Sequence, residues 1–181
     1  MKTGSKRSDA ARAALAVPRE GRAGLGAALS LTVQYGPAEP RLPRWRLRNW
    51  AGYALQAAAE DGQAVFGRAE LNLRLVGLAE GRKLNRDFRG RDYATNVLTF
   101  EYGVDPKGTA HGDIIICAPV LAREAREQKK PFLHHAAHLT IHGVLHSLGY
   151  DHLNKRDAQR METLEIQVLA RMNIADPYTI T

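Results

Sequence analysis

With one cysteine, Cys117, in 181 residues, the chain cannot close an internal disulfide or build a cysteine-rich structural zinc site. A reducing compartment, the cytoplasm, is the expected location. Long apolar runs are also missing: none approaches the roughly 18–20 residues that span a bilayer, which excludes a transmembrane helix. The basic N-terminus lacks the apolar stretch of a secretory signal, so none is expected there. No internal repeat or sustained heptad is present. What remains, at 44% hydrophobic and 25% charged residues, is the balance of a soluble globular chain long enough for a substantial core.

Negative charge is in short supply. Lys and Arg number 26 against 19 Asp and Glu, which favours an anionic partner, most commonly nucleic acid. The excess is uneven. Residues 1–29 hold six basic side chains against Asp9 and Glu20, a net of +4, so residues 30–181 carry only +3 of the +7. Rich in Ala, Gly, Arg and Ser and without apolar periodicity, residues 1–29 are expected to form a basic flexible extension, with one domain over 30–181.

Leu29 to Tyr35 alternates apolar and polar residues and stops at Gly36-Pro37, which reads as a strand. A helix is expected from Arg44 to Glu60, with Leu47, Trp50, Ala54 and Ala57 on its buried stripe. Arg41, Arg44, Arg46 and Arg48, around Trp45, admit two readings: an RNA-contacting patch, or the solvated face of that helix. Glu70 to Val76 is a second alternating strand, and a short helix follows over Leu78 to Phe88. Asn96 to Phe100, rich in β-branched and aromatic residues, is a third strand. Residues 102–110, with Pro106 and Gly108, read as a loop. Gly112 to Cys117 reads as a strand buried on both faces, with Cys117 a small core residue. Pro119 suits the first turn of a helix running to Lys129, and another is expected over Phe132 to Leu148. Asn154 can cap a last helix, Lys155 to Met172, packing through Met161, Leu164, Val168 and Leu169. Strands first and helices afterwards predict a single α+β domain, a mixed sheet of about four strands covered by about five helices.

The chemistry concentrates in His142-Gly-Val-Leu-His146-Ser-Leu-Gly149-Tyr-Asp-His152. Residues four apart share a helix face, so His142 and His146 aim two imidazoles at one point. Gly149 supplies the left-handed turn that ends a helix, and the reversed chain brings back His152. Three neutral imidazoles with a fourth position open describe a catalytic zinc site at the end of a C-terminal helix, although copper, nickel and iron also accept them. The frame is that of the zinc proteases, H-E-x-x-H-x-x-G-x-x-H, except that Gly143 stands where their glutamate base belongs. His138, one turn before His142, can orient substrate or move protons, or equally brace the ligands or pack. His111, His134 and His135 are read as surface residues, with His111 placed to border the cleft. Asp151 either accepts from a ligand's free N–H or caps the turn.

That run resembles the signature of the YbeY family of bacterial endoribonucleases, the rRNA maturation factors. Leu84-Asn-Arg-Asp-Phe-Arg-Gly-Arg-Asp-Tyr-Ala-Thr-Asn-Val-Leu-Thr-Phe100 resembles the family's other marked segment, and Gly112-Asp113-Ile114-Ile115-Ile116 the strand before its helices. The three blocks agree in order and spacing, and the likeness runs from about Leu31 to Tyr178. Thr99, where serine is frequent, Tyr93, at a variable site, and the N-terminal extension depart from the pattern. The resemblance implies a small α+β domain holding one zinc ion through His142, His146 and His152. It implies a single-strand-specific endoribonuclease that matures the 3′ end of small-subunit rRNA and serves ribosome quality control. The implied partners are RNA and the ribosome or small-subunit proteins, with no membrane. Arg89 matches the family's functional arginine, and a guanidinium there would offer a planar fork of donors to phosphate. With Gly143 in place of the base glutamate, proton transfer would fall to hydroxide at the metal, to the RNA 2′-hydroxyl, or to another histidine. Two alternatives stand beside this reading: a non-catalytic zinc-containing ribosome assembly factor, and a metalloprotease.

Overall fold

The computed structural model describes residues 29–179; the basic extension expected over 1–29 lies outside them except for Leu29, which opens the first strand. In β1 (Leu29–Tyr35) the alternation works as expected: Leu29, Leu31 and Val33 are buried, and Ser30, Thr32 and Gln34 are exposed. β1 pairs parallel with β2 (Arg68–Val76), Leu31 opposite Leu71. β2 pairs parallel with β4 (Thr109–Cys117), Leu73 opposite Ile114. β3 (Val97–Val104) runs antiparallel to β4, Thr99 opposite Ile114, so the mixed sheet has the order β1-β2-β4-β3 and β3 is an edge.

Five helices complete the described residues: α1 (Arg44–Asp61), α2 (Leu78–Arg89), α3 (Ala118–Glu127), α4 (Phe132–Ser147) and α5 (Lys155–Arg171). The expected stripes of α1 and α5 are buried, Leu47, Trp50, Ala54 and Ala57 in one, Met161, Leu164, Val168 and Leu169 in the other. They join Leu71, Leu73, Ile114 and Ile116 of the sheet and Ile141, Val144 and Leu145 of α4 in one core. A smaller cluster lies on the opposite face, where Val76, Cys117 and Val120 pack with Ile115 and with Leu84 of α2. The Ile114–Cys117 end of β4 is therefore covered from both sides, while His111 and Asp113 of the same strand border an open hollow. No helix among the described residues is long and apolar enough to cross a membrane.

One expectation needs correction. The loop over 102–110 is mostly hairpin: β3 runs to Val104, β4 starts at Thr109, and only a turn at 105–108 remains. Asp105 builds that turn by accepting from the backbone N–H groups of Lys107 (2.8 Å) and Thr109 (3.0 Å), and Gly108 adopts a left-handed φ of 81°. A bulge at Tyr102, where the register shifts between Glu101 and Gly103, hides the strand's alternation from sequence. The arginines around Trp45 follow the solvated-face reading: Arg41, Arg44 and Arg48 are exposed, as is Trp45 itself. Arg44 and Arg48 donate to the carbonyls of Val33 and Leu31 in edge strand β1, and Arg41 pairs with Glu39 and lies 3.6 Å from the centroid of the Phe132 ring.

Candidate metal centre

Helix α4 sits close on the sheet because two glycines allow it. A Cβ on Gly143 would meet Ile114 Cγ2 at 2.7 Å, and one on Gly112 would meet Ser147 Cβ at 2.7 Å. Position 143 faces the sheet. The glutamate that the protease frame demands has no room there, which gives a steric reason for its absence.

The end of α4 is a Schellman turn: Gly149 N–H donates to the His146 carbonyl at 3.0 Å and Tyr150 N–H to the Leu145 carbonyl at 3.1 Å. Gly149 carries the required left-handed backbone, with φ 95°. Tyr150 then plunges into the core, and its hydroxyl donates to Asp61 Oδ2 at 2.6 Å, at the end of α1. This anchor turns the chain back so that His152 lies beside the helix it has just left.

The three expected ligands come together. Candidate ligand nitrogens of His142, His146 and His152 all lie within 4.8 Å of one another, and His146 Nε2 is 3.0 Å from His152 Nδ1. Burial, with the neighbouring rings of His142 and His152, holds the His146 imidazole down at about 4, so it is neutral at pH 7, the form a metal binds. His142 is fixed from behind: its Nδ1 is 2.5 Å from Oε1 of Glu165, a residue with no exposed surface. Burial alone would raise the Glu165 carboxyl, but hydrogen bonds from His138 and His142 outweigh it and hold the group at about 2. An ionised carboxylate only accepts, so Nδ1 of His142 must donate and Nε2 keeps its lone pair. A chemically uniform set of three imidazoles, one neutral by burial and one with its tautomer set, can hold a metal ion. His138, His142 and Glu165 also converge within 4.8 Å, but their polar atoms are already engaged with one another and with Tyr178.

The facing wall comes from α2 and the segment after it. Gly90, with φ 67°, ends the helix, and the buried Asn85 donates to the Tyr93 carbonyl at 2.7 Å, folding the following residues back across the sheet edge. This places Arg89, Thr95 and Asn96 with Val97, Thr99 and Glu101 of β3 opposite the three histidines, around a cleft of ≈ 330 Å³. Arg89, the sequence's candidate catalytic residue, therefore shares one cavity with the candidate ligands. Arg82 and Lys83 are spent on Asp92 and Asp87, whereas Arg89 is exposed at the cleft.

His138 does not line that cleft; it lies behind His142, 3.3 Å from Glu165 Oε2, on the side away from the cleft. His135 is not a surface residue. It is 5% exposed and bonds Glu124 Oε2 at 2.8 Å, and Glu124 accepts from the cleft-lining Asn96 at 3.1 Å. His111 pairs with Asp105 at 2.9 Å and borders a separate hollow over the sheet with Glu70 and Asp113, and His134 is half-buried. Asp151 caps the turn by accepting from His152 N–H at 2.6 Å. The bracing role that sequence offered to Asp151 falls to Glu165. The signal for it was present: a carboxylate on the apolar stripe of α5, next to Leu164.

Residues 38–173 match the family model described as Endoribonuclease YbeY. Endoribonuclease YbeY of Bordetella avium is 76% identical over 152 residues, 84% of this chain and 94% of that one. Endoribonuclease YbeY of Thiobacillus denitrificans is 47% identical over 151 residues, covering 83% and 96%. The solution structure of TM1509 from Thermotoga maritima superposes with a TM-score of 0.52 at 25% identity, covering 83% of this chain and all of that one. The match spans the histidine run, the Arg89 segment and the sheet between them: the chain belongs to the YbeY family of endoribonucleases.

Proposed function

We propose that the chain is a zinc-dependent, single-strand-specific endoribonuclease. Its work is rRNA processing, the maturation of the 3′ end of small-subunit rRNA, and ribosome quality control, in the cytoplasm with the ribosome or its small-subunit proteins as partners. The observation that carries this reading is the convergence on the walls of a single cleft of three imidazoles and the Arg89 guanidinium, which has no carboxylate partner among the described residues. His142, His146 and His152 would hold the zinc, which when bound supplies Lewis acidity towards a phosphoryl oxygen and acidifies water. Arg89 grips a non-bridging phosphate oxygen through its fork of N–H donors and neutralises charge that grows there. The cleft lies at the edge of the sheet and is open to solvent, which suits a strand whose bases are unpaired better than a duplex. Asn96, held by Glu124, keeps the β3 wall in place while the strand is bound.

The metalloprotease alternative lacks the glutamate of its own frame, and the contact between position 143 and Ile114 leaves no room for one there. The assembly-factor alternative has no use for a free arginine opposite the histidines. The test is cleavage of a single-stranded oligoribonucleotide by the purified protein with and without chelator. His142→Ala and His146→Ala should each abolish the chelator-sensitive cleavage while circular dichroism shows the fold intact. Cleavage that survives both substitutions and complete metal removal would rule the proposal out.

A further inference from the structure

The residue behind His142 is itself held by the end of the chain. Past α5, Asn173 takes a left-handed φ of 57° and Ile174 N–H donates to the Leu169 carbonyl at 3.0 Å, which folds the segment back along the helix. Lys130 Nζ then donates to the Pro177 carbonyl at 2.7 Å, tying it to the start of α4. The segment ends with Tyr178, whose ring stands edge-on to His138 at 5.4 Å and whose hydroxyl donates to Glu165 Oε2.

Glu165 is costly where it stands. A carboxylate with 0% exposure on a stripe of Met161, Leu164, Val168 and Leu169 is strongly destabilising unless its oxygens are matched, as any unpaired buried charge is. An apolar side chain would serve packing better. Its oxygens are instead divided: Oε1 takes His142 Nδ1, while Oε2 takes His138 and the Tyr178 hydroxyl. With Oε2 occupied by two donors from separate elements, the carboxylate cannot swing, and Oε1 stays on the ring it orients. Such a charge directly behind a ligand fixes its tautomer, stops ring rotation and makes the far nitrogen more basic.

We propose that the C-terminal segment 172–178 is part of the metal centre, with Glu165 and Tyr178 as positioning residues that hold the His142 ring on its cation. The proposal rests on His142, His146 and His152 being the ligands. It is tested on the full chain by zinc affinity, measured in competition with a chromophoric chelator, alongside thermal unfolding of the metal-free protein. Glu165→Gln should weaken zinc binding about 10–100-fold, the effect typical of losing a partner behind a ligand. Tyr178→Phe keeps the ring against His138, removes only the hydroxyl, and should weaken it about fivefold, the worth of one hydrogen bond.

A packing role alone would lower the unfolding temperature of the metal-free variants and leave the zinc affinity of folded protein at the wild-type value. That result overturns the proposal. His142→Ala separates the two levels of argument. Zinc lost in His142→Ala but bound normally by Glu165→Gln and Tyr178→Phe removes the positioning role alone. Zinc bound normally by His142→Ala removes the metal centre as well.

Discussion

Arg89→Lys keeps a charge in the cleft but exchanges a planar fork of donors for a single point, and Arg89→Ala removes both. Cleavage should fall about 100-fold in kcat/KM for the alanine variant, the usual cost of one donor at a developing oxyanion, with lysine recovering only part of it. Zinc content should not change, because Arg89 stands across the cleft from the histidines; a loss of metal in Arg89→Ala would assign it to the fold instead. Glu124 allows a second test. Its hydrogen bond with His135 lowers the carboxyl below its ordinary 4.5, more than burial raises it. A depressed carboxyl stabilises fully above that ordinary value and loses its contribution as pH falls through the folded value. The stability advantage of wild type over Glu124→Gln should therefore be constant near neutrality and shrink below about pH 4.5 in urea titrations. An advantage that is the same on both sides of that range would detach Glu124 from acid stability. At this scale the candidate ligands were legible because His142, His146 and His152 meet through spacing local to one helix and its turn. The position of Glu165 on an apolar stripe was a sign, but its partner and that of the buried His135 were not legible, being 23 and 11 residues away and brought together only by tertiary packing.

Helix α4 has its position set by what Gly143 and Gly112 leave out. Gly143→Ala puts a methyl against Ile114 where the gap is 2.7 Å, in the interior of the core. Overpacking of this kind costs about 1–3 kcal/mol, and the shift would move two ligands with the helix, so metal affinity should fall together with Tm. Gly143→Glu restores the sequence frame of a zinc protease and should produce a less stable protein with no chelator-sensitive proteolysis of unfolded polypeptide. Proteolysis appearing in that variant would mean that position 143 faces the cleft. The strands and helices themselves could be read from period, since β1 and β2 alternate cleanly and α1 and α5 keep their stripes. What escaped was irregular: the bulge at Tyr102 broke the alternation of β3, and the duty of Arg44 and Arg48 on β1 depends on which strand is the edge. Edge position is a property of the sheet order, and a single strand's sequence carries no sign of it.

Over the whole molecule, charge is unevenly spread along the chain. The described core, cleft and candidate metal centre are built from residues 29–179, and residues 1–29 carry +4 of the net +7. Attraction for a polyanion and the chemistry done on it are thus separable by truncation. Each phosphate of single-stranded RNA that the protein no longer neutralises reduces the slope of log K against log salt by about 0.7, whereas an interior defect leaves that slope alone and lowers Tm. A chain beginning at Leu29 should keep its Tm, zinc content and kcat, bind single-stranded RNA more weakly at low salt, and show a shallower salt dependence. The difference between the two chains should vanish near 1 M salt, where screening acts over only about 3 Å. An unchanged slope would place the RNA-attracting charge wholly within the folded domain, where only +3 is available. Binding would then have to depend on the arginines, Arg89 among them, that have no carboxylate partner among the described residues.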